Sequence, residues 1–139
     1  MQNPEDFFRP KIVYGQFQDS AEYSFAEPGI FLSSNEYLLI VKNYSSKCLL
    51  AFLNSKTSEW YLSKITGNLG DNAKIGQKSN FLKLFVALLP LSKQQFFEDK
   101  VDKILLMTDC KTSIEAEIDN VIYKIYGLSE NEIQIIESQ

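Results

Sequence analysis

The side chains that could carry chemistry are quickly narrowed, because the chain contains no histidine. Without imidazole there is no His-based general base, no Ser-His-Asp triad and no His ligand for a metal. Cys48 and Cys110 are the only thiols. Two cysteines make no disulfide framework, and with no histidine they cannot complete a zinc site. They read as free thiols of a reducing cytoplasm. Glu115, Glu117 and Asp119 lie on the side of a helical pattern away from its apolar stripe. They read as a solvated face rather than a catalytic or metal cluster. Gly67, Gly70 and Gly76 are too far apart to cradle a phosphate, and no nucleotide-binding glycine pattern occurs. What remains is the stretch 67–80, GNLGDNAKIGQKSN. It holds three glycines, three asparagines and two lysines, with little to bury. Long non-periodic stretches in compact domains are commonly functional or disordered.

Charge points to the same part of the chain. The net charge is −4 over 139 residues. Residues 1–93 carry ten Lys/Arg against eight Asp/Glu, whereas residues 94–139 carry four against ten. A nucleic-acid surface therefore belongs in the first two-thirds. The length fits one domain, and an apolar content of 45% is enough for a core. The longest apolar run, Leu84 to Leu91, is strand-sized and contains Pro90, so no membrane span is expected. The opening MQNPEDFFRPK is polar and acidic before it is basic, unlike a secretory signal.

The elements that must hold these groups follow from periodicity. Lys11–Gly15 (KIVYG), Glu22–Ala26, Ile30–Leu32 and Glu36–Lys42 read as strands, with a Glu27-Pro28-Gly29 turn between the second and third. Leu49, Phe52, Leu53, Trp60 and Ile65 then fit one helical face from about Lys47 to Lys64. Ser45 or Ser46 caps its start and Gly67 ends it, and Thr57 and Ser58 are the place where it could break. Phe81–Leu89 reads as a buried strand stopped by Pro90. Three capping boxes follow: Ser92 with Gln95, Thr112 with Glu115, and Ser129 with Glu132. Leu91 with Phe96 and Leu128 with Ile133 form hydrophobic staples. Phe97, Val101, Ile104 and Leu105 make one apolar face, and Ile114, Ile118, Val121, Ile122 and Ile125 make the next, with Gly127 as its stop. The expected fold is α+β: a strand-rich mixed sheet with one internal helix, then a C-terminal segment of two to three helices. The division falls at 1–93 and 94–139 within a single domain.

Several of these pieces, in this order, resemble one family. The tail contains Glu117-Ile118-Asp119, Tyr123, Tyr126-Gly127-Leu128, Glu132-Ile133 and Glu137. It is similar to the closing segment of type IIG restriction-modification methyltransferases. RPKIVY, GIFLSSNEYLLI, LLAFLNSK with Trp60-Tyr61, and LLPLS look like that family's other landmarks. The resemblance runs over roughly residues 9–137 and points to the TaqI-like C-terminal specificity domain. Two departures stand out. The methyltransferase half is absent from this sequence, and Pro90 is followed by Leu91-Ser92, so the second proline of the family's last motif is lost.

The resemblance implies a bacterial, cytoplasmic DNA-reading module that does no chemistry of its own. It implies no cofactor in this chain, because S-adenosylmethionine would belong to the methyltransferase domain. The implied partners are double-stranded DNA and a methyltransferase/endonuclease domain in the same or a neighbouring polypeptide. On this reading Lys64, Lys74, Lys78 and Lys83 contact phosphates, while Asn68, Asn72, Gln77 and Asn80 read base edges. Arg9, Lys11 and Gln16 are lesser candidates. Asn54 and Ser55 are assigned to helix packing, and Tyr123 and Tyr126 to joining the tail helices. The alternative function is protein interaction through the acidic C-terminal helices, including a homodimer, with the Ile118/Ile122 face as the contact.

Overall fold

The computed structural model describes residues 5, 9–15, 23–29, 36–66, 87–106 and 111–138. Its sheet is built from β1 (Lys11–Gly15), β2 (Tyr23–Ala26) and β3 (Glu36–Leu39), in the order β2-β1-β3. Both pairings are antiparallel, with Tyr14 opposite Tyr23 on one side and Tyr37 on the other. The β-branched and aromatic residues of β1 suit a central strand that is packed on both flanks. The Tyr14 and Tyr23 rings lie 5.5 Å apart and form a cross-strand pair. Gly29 follows β2 with φ +89°, the left-handed backbone that a Pro-Gly turn requires.

Five helices follow: α1 (Ser46–Leu53), α2 (Lys56–Thr66), α3 (Leu91–Leu106), α4 (Lys111–Ile125) and α5 (Glu130–Glu137). The fold is α+β, but among the described residues it is dominated by helix. Among these residues the sheet is antiparallel, and they do not support the expected strand-rich mixed sheet. Residues 30–32 and 81–86, expected as strands, lie outside the described residues. At the end of the expected Phe81–Leu89 strand, Ala87 to Leu89 form no regular element, and Leu88 is 91% exposed.

The internal helix is two helices. Ser45 caps α1, its Oγ accepting from Cys48 N–H at 3.1 Å. Nearly the whole circumference of α1 is buried, through Cys48, Leu50, Ala51, Phe52 and Leu53. The break falls at Asn54-Ser55, just before the Thr57-Ser58 pair that sequence singles out. One core cluster joins Ile12 and Tyr14 of the sheet, Phe52 of α1, Phe97 and Val101 of α3, and Ile118 and Ile122 of α4. The expected apolar face of α3 ends earlier than its pattern, because Leu105 is exposed.

Helix ends in the tail are only partly as expected. The Ser129–Glu132 box forms in full around the start of α5. Gly127 takes φ +65° and closes α4. Its N–H bonds the Lys124 carbonyl and the Leu128 N–H bonds the Tyr123 carbonyl, both satisfying otherwise orphan acceptors. The Ser92–Gln95 box does not cap α3, because the helix begins at Leu91. The Pro90 carbonyl takes the N–H groups of Lys93 and Gln94. Gln95 bonds Asp99 instead, and Leu91 points to solvent rather than stapling. Gln94 does the fastening: its Oε1 accepts from Ser45 N–H at 3.0 Å, and its Nε2 donates to the Leu89 carbonyl at 2.7 Å. Helix α4 begins at Lys111, so Thr112 lies inside it, and Glu115 faces Lys111 at 3.8 Å.

Candidate nucleic-acid interface

Of the candidate DNA contacts, Arg9, Lys11 and Lys64 lie among the described residues. Arg9 is exposed immediately before β1. Lys64 is exposed in the last turn of α2, its ammonium 5.7 Å from the centre of the Trp60 ring. A cation over an indole face keeps its charge and its remaining hydration, so it stays available to a phosphate. Lys11 corrects the expectation. It is fully buried at the start of the central strand, and an enclosed ammonium cannot reach a phosphate on the outside of the chain. Asn68, Asn72, Lys74, Gln77, Lys78, Asn80, Lys83 and Gln16 fall outside the described residues.

Sequence reasoning did not single out the exposed Lys42 and Lys56, which flank α1. Lys42 lies between β3 and α1, beside Asn43, whose φ of 60° turns the chain. Strand periodicity had absorbed Lys42 into an element that in fact ends at Leu39. Lys56 opens α2, its side chain exposed and its N–H turned inward. By contrast Lys47 and Lys100 are ion-paired with Asp102 and Glu117.

The junction that sets the direction of α2 is built from polar side chains. Asn54 binds the edge strand with both ends of its amide: Tyr23 N–H donates to Oδ1 at 3.0 Å and Nδ2 donates to the Tyr23 carbonyl at 2.9 Å. Ser55 Oγ accepts from Ser58 N–H at 3.3 Å and donates to the Phe52 carbonyl at 2.6 Å, capping α2. The packing role expected of Asn54 and Ser55 is thus a hydrogen-bonding one.

Asp119 overturns its assignment to a solvated face. It is 6% exposed, and its Oδ1 accepts from Lys56 N–H, the first residue of α2, at 3.0 Å. Glu115 and Glu117 are exposed, as their position off the stripe implies. Burial raises the Asp119 carboxyl above the usual carboxylate range. The Lys56 hydrogen bond and charge oppose this, and Glu115 and Glu137 add to it. The folded chain therefore holds this proton to higher pH than the unfolded chain does. That contribution to stability is complete below the unfolded value, about 3.9, and is lost as pH rises through the folded value. Asp119→Asn keeps an acceptor oxygen and has no such slope. Urea midpoints of the two proteins should diverge in favour of the variant as pH is raised from about 4 towards neutrality. A gap that stays constant across that range would mean burial does not dominate at this carboxyl.

Between β2, the α1–α2 junction, α3 and α4 runs a groove of about 660 Å³. Lys56 and Lys111 line it, but so do Glu59, Glu115 and Asp119. Cations and acids are thus mixed along it, with no excess of positive charge to favour phosphate. Cys48 takes no part: burial pushes its thiol up to about 11, leaving it protonated at neutral pH. Among the described residues no group of three His, Cys, Asp or Glu could hold a metal. No helix among them is long and apolar enough to cross a membrane.

The model of the TaqI-like C-terminal specificity domain matches residues 2–84, which include the sheet, α1 and α2. The chain belongs to this family. No curated protein matches the chain. A TaqI-like specificity domain serves target recognition in restriction-modification systems, so interaction with DNA is its role. The matched residues contain every cation of the candidate surface. They end before α3, so the tail motif lies beyond them.

Proposed function

We propose that this chain is the target-recognition module of a bacterial type IIG restriction-modification enzyme, reading DNA for an adenine methyltransferase/endonuclease and making no bonds itself. The family match over residues 2–84 carries this reading. The chemistry of the residues supports it. The chain has no histidine, and burial pushes the Cys48 thiol up, away from the reactive thiolate. Its cations outside the acidic tail include the exposed Arg9, Lys42 and Lys64. On this reading the lysines of 64–83 hold phosphates and the amides at Asn68, Asn72, Gln77 and Asn80 discriminate bases. S-adenosylmethionine is bound by the methyltransferase domain, in the same or a neighbouring polypeptide.

A net charge of −4 limits what the chain does alone. Phosphate contacts supply most non-specific affinity through counterion release, with about 0.9 of a log unit in the salt slope per contact. Mobility-shift titrations should show weak binding to duplex DNA near 50 mM salt that vanishes by about 200 mM. The double variant Lys74→Glu, Lys78→Glu should weaken binding to all sequences alike and reduce the slope by about two. Tight binding indifferent to salt, or lysine variants that bind as well as wild type, would remove this surface from the proposal.

Assembly through the Ile118/Ile122 face is less well served. Both side chains are buried in the chain's own core, so that face is already occupied.

A further inference from the structure

We infer that Asp119 is a positioning residue for DNA recognition: from the C-terminal helices it fixes the direction of α2 and of the cation-bearing turn at its end. This rests on the reading of the chain as a DNA-recognition module.

Helix α2 has little to hold it by itself. It is 11 residues long, a length at which isolated helices are marginal in water. The break at Asn54-Ser55 frees it from the axis of α1. Its first turn has amide groups that its own backbone cannot satisfy. Ser55 takes one of these, and Asp119 of α4 takes the first, at Lys56. Along its length α2 packs on α4 and α5. Those two helices are locked together by the Gly127 turn, the Ser129 box and the hydrogen bond from Tyr123 O–H to Glu137 at 3.3 Å. Beside the Asn54-Ser55 junction with α1, part of the frame for α2 is thus supplied by residues 111–137, beyond the family-matched 2–84. The far end of α2 carries Lys64 and leads into the interval assigned to the duplex. A carboxylate buried at such a point costs desolvation energy that a neutral cap would not. Its return is a charge-assisted bond at the positive end of a helix dipole. A rotation of α2 about its anchored start displaces Lys64 more than any residue near Asp119.

The full chain carrying Asp119→Ala, Asp119→Glu or Asp119→Asn tests this through peptide-level hydrogen exchange and fluorescence anisotropy with a labelled mixed-sequence duplex at low salt. In the alanine variant, exchange of the α2 amides should quicken about tenfold or more while β1 and β2 keep wild-type protection. Duplex affinity should fall about three- to tenfold. The glutamate variant, whose carboxylate is displaced by one methylene, should show the same selective loss and serves if the alanine variant does not fold. The asparagine variant, which keeps the acceptor, should protect α2 at least as well as wild type and bind the duplex with wild-type affinity. Wild-type exchange in α2, a uniform acceleration that includes the sheet, or an asparagine variant as impaired as alanine overturns the inference. So does faster exchange in α2 with unchanged duplex affinity. A wild-type chain that binds no duplex at low salt overturns instead the reading of the chain as a DNA module, and the exchange pattern then still decides whether Asp119 holds α2.

Discussion

Phe52→Ala is expected to destabilise the chain by about 3–5 kcal/mol, the range for truncating a fully buried aromatic. Phe52 has no solvent-exposed surface. Its ring centre lies 5.1 Å from that of Phe97, on α3, and 6.1 Å from that of Tyr126 in edge-on contact. Removing the ring forfeits its transfer energy and opens a void bounded by α1, α3 and the end of α4. Those walls cannot collapse easily, because the α1–α2 junction begins at this residue. The Phe52 carbonyl accepts from the hydroxyls of Ser55 and Ser58 at 2.6 and 2.5 Å. A domain of this size commonly has 5–15 kcal/mol in total, so the variant should lie near its unfolding threshold at room temperature. Urea denaturation should show a midpoint shift with an unchanged slope. Phe52→Leu should lose far less, since most of the volume is kept. A loss below about 1 kcal/mol for the alanine variant would place the centre of the core elsewhere.

The sequence makes Phe52 easy to find, because it falls on a helical stripe with Leu49 and Leu53. It makes Asp119 hard to find for the same reason. Asp119 sits one residue past Ile118, on the side that helical periodicity assigns to water, and only the arrival of α2 converts that side to an interior. Local pattern cannot contain this, since Lys56 and Asp119 are 63 residues apart. Lys11 fails similarly: a lysine opening a strand reads as solvated until the tertiary structure closes over it. The Ser129 box was legible because every partner lies within four residues. The Ser92 box, with Gln95 in place of a glutamate, does not form, because the helix already starts at Leu91, the Pro90 carbonyl takes the Lys93 and Gln94 amides, and the Gln95 side chain bonds Asp99. Periodicity also ran straight through Asn54-Ser55, because apolar residues on α1 and α2 happen to continue one face. The family could be read from the order of several short pieces, each weak alone. The matched residues 2–84 contain those from RPKIVY through Trp60-Tyr61. The base-reading amides at 68–80 remain a matter of residue type and position.

Asn54 separates two ways of losing the same contact. In Asn54→Ala both bonds to Tyr23 vanish, leaving one backbone donor and one acceptor at the outer edge of β2. The position is exposed, so water can replace part of the amide. The cost should be about 1–2 kcal/mol, toward the low end for orphaned backbone groups. Asn54→Asp looks more conservative and should be worse, at about 2–3 kcal/mol. One carboxylate oxygen still accepts from the Tyr23 N–H, but the other replaces a donor and confronts the Tyr23 carbonyl, oxygen against oxygen, at the distance where Nδ2 now donates. The introduced carboxyl is driven towards its protonated form, which can donate to that carbonyl. The folded variant would therefore bind a proton more readily than the unfolded one. Its stability relative to wild type should recover as pH falls and decline as pH rises through the folded value. Urea midpoints for wild type, Asn54→Ala and Asn54→Asp at neutral and acid pH would show this ordering. If the aspartate variant instead matches wild type at neutral pH, the two-point grip on Tyr23 is not what fastens the helix junction to the sheet.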